Sequence, residues 1–176
     1  MSILENLGFI SLVITVAAIF MSFVTPYWVN EYDDYIMKPV HKGLLVNCEK
    51  DMCSWFFNER ISREFPAWFK ATQGLMSVAL VLGLLALLVA TISLCCTCHR
   101  CNSHQPICGF LIVASVAIAV GIVIFGIKAK QDWGIDLQVE KMSRGRFGWS
   151  FWTAIGAAVS ALLTSTIYCC MKRKSQ

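Results

Sequence analysis

The sequence predicts an all-α membrane protein, in which four transmembrane helices form a bundle and a loop region carries a small amount of β-structure. The 176 residues are 57% hydrophobic and only 15% charged, whereas soluble domains carry about 25% charged residues. The charged residues are also excluded from four long blocks. The blocks without Asp, Glu, Lys or Arg are residues 7–28, 71–98, 106–127 and 147–171.

Each block is long enough to cross a bilayer as a helix. About 20 apolar residues span the roughly 30 Å of hydrocarbon, and backbone groups in lipid must be hydrogen-bonded within the segment. We therefore expect residues 1–176 to form a single four-span domain. The predicted spans are residues 7–28, 71–97, 106–127 and 147–170. The predicted connections are a first loop at 29–70, a turn at 98–105, a second loop at 128–146 and a tail at 171–176.

The first block differs from a cleaved signal peptide. The residues before it contain no Lys or Arg, and Thr25, Pro26, Tyr27 and Trp28 stand where a small-x-small cleavage site would follow. We therefore expect an uncleaved first span, which places both termini on the side of the short turn and both large loops on the other side.

The cysteines orient these two sides. The distribution of Lys and Arg does not decide which side is cytoplasmic, because the large loops hold most of the basic residues but also most of the acids and the aromatic belt. Cys48 and Cys53 lie in the first large loop, and the other seven cysteines lie on or near the side of the termini. Disulfides persist in oxidising compartments and thiols in the cytosol. This partition predicts extracellular large loops and cytoplasmic termini.

The sequence of the first loop predicts β-strands and a disulfide bond. The segments YWVNEYDDYIM and WFF are β-prone. Cys48 and Cys53 can face each other across a hairpin, at the 4.5–5.5 Å separation that suits a disulfide. Closing so small a ring contributes only about 2 kcal/mol in the chain-entropy model, so its main effect would be on strand register. Two free thiols are the alternative.

The cysteines near the termini are candidates for S-acylation, because cysteines next to a membrane surface are typical palmitoylation sites. The alternative is that they are small apolar residues at helix ends. The candidates are Cys95, Cys96, Cys98, Cys101, Cys169 and Cys170. A zinc site at Cys98, His99 and Cys101 is disfavoured, because so short a turn cannot close four ligands around the metal. We expect no metal and no cofactor.

Enzymes, transporters and nucleic-acid-binding proteins are disfavoured as function classes. No ionisable side chain lies inside a span, where transporters usually place one. The three histidines, His41, His99 and His104, accompany no recognisable nucleophile motif. Asp33 and Asp34 are adjacent and point to opposite faces of a strand, which suits surface charge better than acid–base catalysis. Small residues four apart predict close helix packing or lateral self-association. These pairs are Ala117 with Gly121 and Gly156 with Ser160.

Several short motifs resemble the claudin superfamily, which includes the peripheral myelin protein and the epithelial membrane proteins. In the first loop a Trp, a Gly-Leu pair and two cysteines occur in the family's order, although Leu45 stands where a second Trp is usual. KATQGLM resembles the start of span two. Gln73 stands where claudins usually have Arg, and a Gln at this position is more like the myelin-protein branch. FGWSFW resembles the start of span four. The matching residues are Trp28, Gly43, Leu44, Cys48, Cys53, Gln73, Gly148 and Trp149.

This resemblance implies a left-handed four-helix bundle with one extracellular antiparallel sheet. It also implies a plasma-membrane protein of cell–cell junctions that contributes to adhesion and to the paracellular barrier or ion path. Charges that could select ions along such a path are Asp33, Asp34, Glu59 and Arg60. The implied partners are the lipid bilayer and, in cis and trans, the chain itself or related proteins. The ending KRKSQ lacks the Tyr-Val type signal for PDZ scaffolds. The alternative is an auxiliary subunit or membrane organiser, like stargazin or the epithelial membrane proteins, acting on a channel or receptor.

Overall fold

Four long helices form the bundle. The structure is a computed structural model that describes residues 3–33, 38–49, 52–55, 65–95, 104–136 and 145–174. The helices are α1 (Ile3–Val24), α2 (Ala67–Cys95), α3 (His104–Trp133) and α4 (Trp149–Lys174). All four are long and apolar enough to cross a membrane, which confirms the predicted four-span, mostly helical fold.

The helices pack in a closed ring. Helix α1 contacts α2 and α4, and α3 contacts the same two helices. Small residues such as Ala79, Ala114 and Ala157 are fully buried between helices, whereas Leu88 and Leu163 are exposed on the outside of the bundle. Lipid tails are as apolar as leucine, so the bundle gains its stability from close contacts between backbones, which small side chains permit.

Every helix end differs from the predicted span end by a few residues, and two of these differences have a clear physical cause. Helix α1 ends at Val24, before the predicted residue 28, because Pro26 lacks an N–H and disfavours helical geometry at Thr25. Helix α3 continues past the predicted residue 127 to Trp133. Its 30 residues measure about 45 Å and exceed the roughly 30 Å hydrocarbon core, so its last turns project beyond it. Gly134, with φ of 65°, ends the helix in the left-handed region.

A six-stranded sheet lies at the end of the bundle where α1 ends and α4 begins. The strand order is β4-β3-β2-β1-β6-β5. The strands are β1 (Val29–Asp33), β2 (Lys38–Lys42), β3 (Val46–Glu49), β4 (Met52–Trp55), β5 (Ile135–Asp136) and β6 (Gly145–Phe147). Five strands are antiparallel as predicted, but β5 pairs with β6 in parallel. This edge pairing differs from the prediction because the chain turns at Gly134 directly after α3 and then runs alongside β6.

The sheet joins the core of the bundle through one face. Val29, Phe147 and Ile135 alternate with outward residues and pack with the helices in a single apolar cluster. A second apolar cluster, at the end of the bundle away from the sheet, contains Leu12 and Leu111. We call these two ends of the bundle the sheet end and the terminal end.

Candidate functional site at the sheet end of the bundle

Trp28 anchors the sheet to the bundle. Its side chain is fully buried, and its ring lies edge-on to Phe125 and Phe151 at centroid distances of 4.8 and 5.7 Å. Its indole Nε1–H donates a hydrogen bond to the Ser22 carbonyl at 2.6 Å. In a continuous helix that carbonyl would accept from residue 26, but Pro26 has no N–H. Trp28 therefore satisfies the carbonyl that the proline leaves without a donor.

Gly43 allows the β2–β3 connection to approach the chain that leaves α1. A β-carbon at position 43 would lie 2.5 Å from the Pro26 Cα and 2.7 Å from the Thr25 carbonyl oxygen. The Gly43 N–H donates to the Val46 carbonyl at 2.9 Å. No other residue type fits there without moving the backbone. The glycine of the Gly-Leu pair in the first loop is therefore explained by a close backbone contact.

Gly148 makes a similar contact from the opposite side. A β-carbon there would lie 2.0 Å from the Tyr27 carbonyl oxygen. The Gly148 N–H donates to the Trp28 carbonyl at 2.9 Å, and the Ser150 N–H donates to the Tyr27 carbonyl at 3.1 Å. The hydroxyls of Ser150 and Thr25 are hydrogen-bonded at 2.6 Å. The segment from residue 25 to residue 28 is thus held between the β2–β3 connection and the start of α4.

Leu44 and Gln73 attach the β2–β3 connection to α2. Leu44 is fully buried in the core. The Gln73 side-chain amide donates a hydrogen bond to the Leu44 carbonyl. Gln73 thus supplies a neutral donor at the position where claudins usually have Arg, and all four helices contribute to holding the sheet.

Trp149 is the exposed member of the predicted signature. Its side chain is 46% exposed, and its ring lies 5.6 Å from that of Tyr27. Tyr27 in turn lies 4.9 Å from the His41 ring. An exposed Trp at the first turn of a membrane helix suits the interface between lipid and water.

Cys48 and Cys53 form a disulfide across the β3–β4 hairpin. They are directly opposed in the antiparallel register, with a Cα–Cα distance of 4.0 Å. Strand β4 is the edge of the sheet, where Cys53 and Ser54 are exposed and Trp55 is 52% exposed. The bond fixes the register of a strand that has a neighbour on one side only.

A row of polar side chains crosses five strands on one face. Cys53 opposes Cys48, which opposes His41, and His41 opposes Asn30, which opposes Arg146. Directly opposed residues point to the same face. We call Arg146, Asn30, His41 and the disulfide the polar row. His41 Nδ1 and Asn30 Oδ1 are 2.8 Å apart, and Arg146 is exposed.

The opposite face places a cation against the aromatic core. Lys42 pairs with Glu31 and lies 5.3 Å from the centre of the Trp133 ring. Trp133 lies 5.0 Å from Trp68, whose indole N–H donates to Asp132 at 2.7 Å. These contacts join the sheet to the first turn of α2 and the last turn of α3, and Lys42 and Glu31 neutralise each other's charge.

The predicted ion-path residues are located only in part. Asp33 is the last residue of β1, where its Cα pairs with that of Lys38. Asp34, Glu59 and Arg60 lie outside the described residues. Whether these four charges share one surface therefore remains a prediction.

The cysteines of the terminal end fall into three groups. Cys95 and Cys170 are exposed free thiols, and Cys96, Cys98 and Cys101 lie outside the described residues. Cys169 differs from expectation, because its sulfur is bonded to that of Cys108 and a bonded sulfur cannot accept an acyl group. Its acylation therefore stays a prediction that applies only when this bond is open. Among the described residues, no group of three or more His, Cys, Asp or Glu residues could hold a metal.

Two features of the bundle were not predicted. The first is the Cys108–Cys169 bond, whose sequence separation of 61 residues gives no local signal. The second is a hydroxyl cluster between α1 and α4, in which Ser11 is 2.7 Å from Thr164, and Thr15 contacts both Thr164 and Ser160. On each helix the hydroxyl residues are four positions apart and therefore lie on one face. This spacing is visible in the sequence and could have predicted the cluster.

The bundle and its sheet define a class of protein, namely four-span membrane proteins whose disulfide-linked sheet is joined to one end of the helices. Residues 1–168 match the model of the PMP-22/EMP/MP20/Claudin family, and the chain belongs to this family. It is a family of structural membrane proteins. A search of curated proteins gives no significant match.

Proposed function

We propose that this chain is a claudin-like plasma-membrane protein of cell–cell junctions. Its large loops would lie outside the cell and its termini in the cytoplasm. It would contribute to adhesion and to the paracellular barrier or ion path, associating with itself or with related proteins in cis and trans. Family membership and the architecture of the sheet end support the proposal.

The observation that carries the proposal is the fixed attachment of the sheet. Gly43 and Gly148 hold the segment between α1 and β1 from two sides, Trp28 fills the core beneath it, and the Cys48–Cys53 bond closes the distal hairpin. A surface that is already ordered loses little conformational entropy when it meets a partner. Such a sheet suits repeated contact with an opposing membrane protein.

The polar row and the edge strand are the surfaces that we assign to these contacts. The polar row presents Arg146, Asn30 and His41, and β4 presents Trp55. Aromatic and Arg side chains are enriched among the residues that dominate binding energy. Glu31 contributes little to an ion path because Lys42 neutralises it. Asp33, Asp34, Glu59 and Arg60 are the charges that we propose for ion selection.

Expression in cells that lack junctions tests adhesion. The protein should concentrate where two expressing cells touch, and Cys48→Ser or Cys53→Ser should abolish that enrichment more than it lowers total protein. Gly109→Ala is the control, because position 109 is exposed on α3 at the terminal end and an added β-carbon there meets no atom within 4 Å. In an epithelial layer, loss of the protein should raise the leak of small solutes, and replacing Asp33 and Asp34 by Lys should change the cation-to-anion permeability ratio.

The second candidate is an auxiliary subunit or membrane organiser. Gln73 favours it, because this residue type resembles the myelin-protein branch and its amide is part of the sheet attachment. Uniform surface distribution, unchanged leak and an altered current through a co-expressed channel would support this candidate and exclude the junction proposal.

Acylation at the terminal end is part of the proposed function. Cys95 and Cys170 are exposed thiols at the ends of α2 and α4, where a covalent acyl chain could enter the adjacent leaflet. Acyl groups released by hydroxylamine should map to Cys95, Cys170 and the cluster of Cys96, Cys98 and Cys101. Finding none at any of these positions would leave them as small residues at helix ends.

A further inference from the structure

The disulfide at the terminal end links two helices that are distant in sequence. Cys108 lies near the start of α3 and Cys169 near the end of α4. Their Cα atoms are 5.9 Å apart, within the range of 4.4–6.8 Å that disulfides usually span. Cys108 lies in the apolar cluster of the terminal end. The bond therefore closes one corner of the helix ring at the end away from the sheet.

The two sulfur-bearing residues differ in access. Cys108 is 6% exposed, whereas Cys169 is exposed and next to the exposed free thiol of Cys170. Thiol–disulfide exchange requires in-line access to the sulfur that is attacked. An external thiol would therefore attack Cys169 and displace Cys108.

A histidine lies beside the buried member of the pair. His104 is four residues before Cys108 on α3 and therefore on the same helix face. Its Nδ1 atom is buried and has no hydrogen-bond partner within the described part of the chain. Its ring lies 6.0 Å from that of Tyr168, the residue that precedes Cys169. A buried nitrogen without a partner costs free energy, and a neighbouring thiol proton would satisfy it.

We propose that Cys108 and Cys169 are a reversible redox site that exchanges with a small-molecule thiol and its disulfide, of which glutathione is the representative. His104 accepts and returns the proton of Cys108. The proposal rests on the proposed orientation, because only cytoplasmic termini expose this bond to a thiol pool that reduces disulfides.

The exchange balances in two steps. In reduction, a glutathione thiolate attacks the Cys169 sulfur, the bond to Cys108 breaks, and the departing Cys108 thiolate receives a proton through the His104 imidazole, which takes up one proton from water in exchange. A second glutathione thiolate then attacks the glutathione sulfur of the mixed disulfide and releases oxidised glutathione and the Cys169 thiolate, which is protonated by water. Two glutathione molecules are oxidised and one protein disulfide is reduced. Oxidation follows the same steps in reverse, and His104 deprotonates Cys108 for the closing attack.

The redox state would decide which chemistry Cys169 can undergo. When the bond is closed, α3 and α4 are linked at the terminal end and Cys169 cannot be acylated. When the bond is open, Cys169 becomes a thiol beside Cys170, so that an acyl chain and the disulfide compete for one sulfur. Oxidation would thus lower acylation at this position without changing any residue at the sheet end.

Equilibration of the purified full-length protein with glutathione tests the site. The protein in lipid nanodiscs is incubated at fixed ratios of reduced to oxidised glutathione, quenched with acid, labelled with a maleimide and mapped by mass spectrometry. Cys108 and Cys169 should change from bonded to labelled together as the ratio rises. Cys108→Ser should trap glutathione on Cys169, and Cys169→Ser should trap far less on Cys108. Cys95→Ser is the control and should leave the transition unchanged.

Three outcomes would overturn the proposal. Labelling of both thiols at every ratio would show that no bond forms, and resistance to excess reduced glutathione would show a permanent structural bond. His104→Gln should slow closure at least about tenfold while leaving the equilibrium bonded fraction unchanged, and an equal rate would remove His104 from the mechanism. Labelling of Cys170 by an impermeant reagent on intact cells would instead contradict the proposed orientation of the termini. If the bond still exchanged with glutathione in nanodiscs, the orientation would be wrong but the redox site would stand.

Discussion

The backbone of Gly148 lies against that of Tyr27 so closely that a β-carbon at position 148 would be 2.0 Å from the Tyr27 carbonyl oxygen. That oxygen is fixed by the Ser150 N–H, and the Gly148 N–H is fixed by the Trp28 carbonyl. Neither backbone can move without breaking a hydrogen bond. The start of α4 and the segment between α1 and β1 are therefore joined by a contact that requires glycine.

Gly148→Ala should destabilise the protein by about 1–3 kcal/mol, the usual cost of overpacking. Reversible unfolding in mixed detergent micelles measures this change. Gly156→Ala is the control, because position 156 lies on α4, the helix that begins directly after Gly148, is exposed and has no atom within 4 Å of an added β-carbon. It should be neutral or stabilising by up to about 1 kcal/mol, since Ala favours helices over Gly. Equal effects of the two variants would contradict the close contact.

Trp28→Phe should cost about 1–3 kcal/mol, because it leaves the buried Ser22 carbonyl without a donor while keeping most of the ring contacts. The same unfolding measurement applies. Trp152→Phe provides the comparison, since Trp152 is exposed and its replacement should leave the free energy of unfolding within about 0.5 kcal/mol of the unchanged protein. A neutral Trp28→Phe variant would show that the indole hydrogen bond contributes nothing.

The spans were predictable because the cost of placing charge in lipid removes charged residues from whole blocks of sequence. The same argument could not locate the end of α3, since Lys128, Lys130 and Asp132 continue the helix beyond the hydrocarbon. The Cys48–Cys53 pair was predictable from a spacing that suits a hairpin. Cys108 and Cys169 were not, because nothing local relates two residues on different helices.

The signature residues were predictable as a pattern but not as a structure. Gly43 and Gly148 are explained by backbone contacts with the segment from residue 25 to residue 28, and such contacts between distant parts of the chain leave no periodic trace in sequence. Gln73 is similar, because its partner is the backbone of Leu44. The parallel pairing of β5 with β6 depends on the turn at Gly134, which strand propensity does not describe.

Loss of the hairpin disulfide should loosen one part of the sheet only. A variant with Cys48→Ser and Cys53→Ser should show faster amide hydrogen exchange in β3 and β4. Without the bond the opened hairpin regains chain entropy worth about 2 kcal/mol, so local opening becomes more frequent. Exchange within α3 and α4 should not change, since among the described residues neither helix packs extensively against β3 or β4. Cys95→Ser is the control and should alter exchange in neither region. Faster exchange throughout the bundle would contradict a local role.

Gln73→Leu should destabilise the protein by about 1 kcal/mol, because the carbonyl of the buried Leu44 loses its donor. Gln73→Arg keeps a donor and should stay closer to the unchanged protein in thermal stability. The informative quantity is the difference between the two variants, measured by the temperature at which the monomer peak is lost in size-exclusion chromatography. If Leu were tolerated as well as Arg, the hydrogen bond would not stabilise the attachment of the β2–β3 connection to α2.

The hydroxyl cluster between α1 and α4 should show energetic coupling. Thr15 and Thr164 are both fully buried and their hydroxyls are 3.2 Å apart. A double-mutant cycle with Thr15→Val and Thr164→Val should give a coupling energy of about 0.6 kcal/mol, the average for hydrogen bonds between membrane helices. The cycle uses the free energies of unfolding of four proteins in mixed micelles.

A second cycle controls for the loss of hydroxyls as such. Thr91 bonds a carbonyl of its own helix at Leu87, so Thr15→Val and Thr91→Val should be additive within about 0.5 kcal/mol. Val keeps the branched shape of Thr, and the two cycles therefore differ mainly in whether the hydroxyls face each other. A coupling energy that is the same in both cycles would show that the cluster is a by-product of packing. A larger value for Thr15 with Thr164 would show that these hydroxyls help to hold α1 against α4, since apolar burial gives little preference for that contact in lipid.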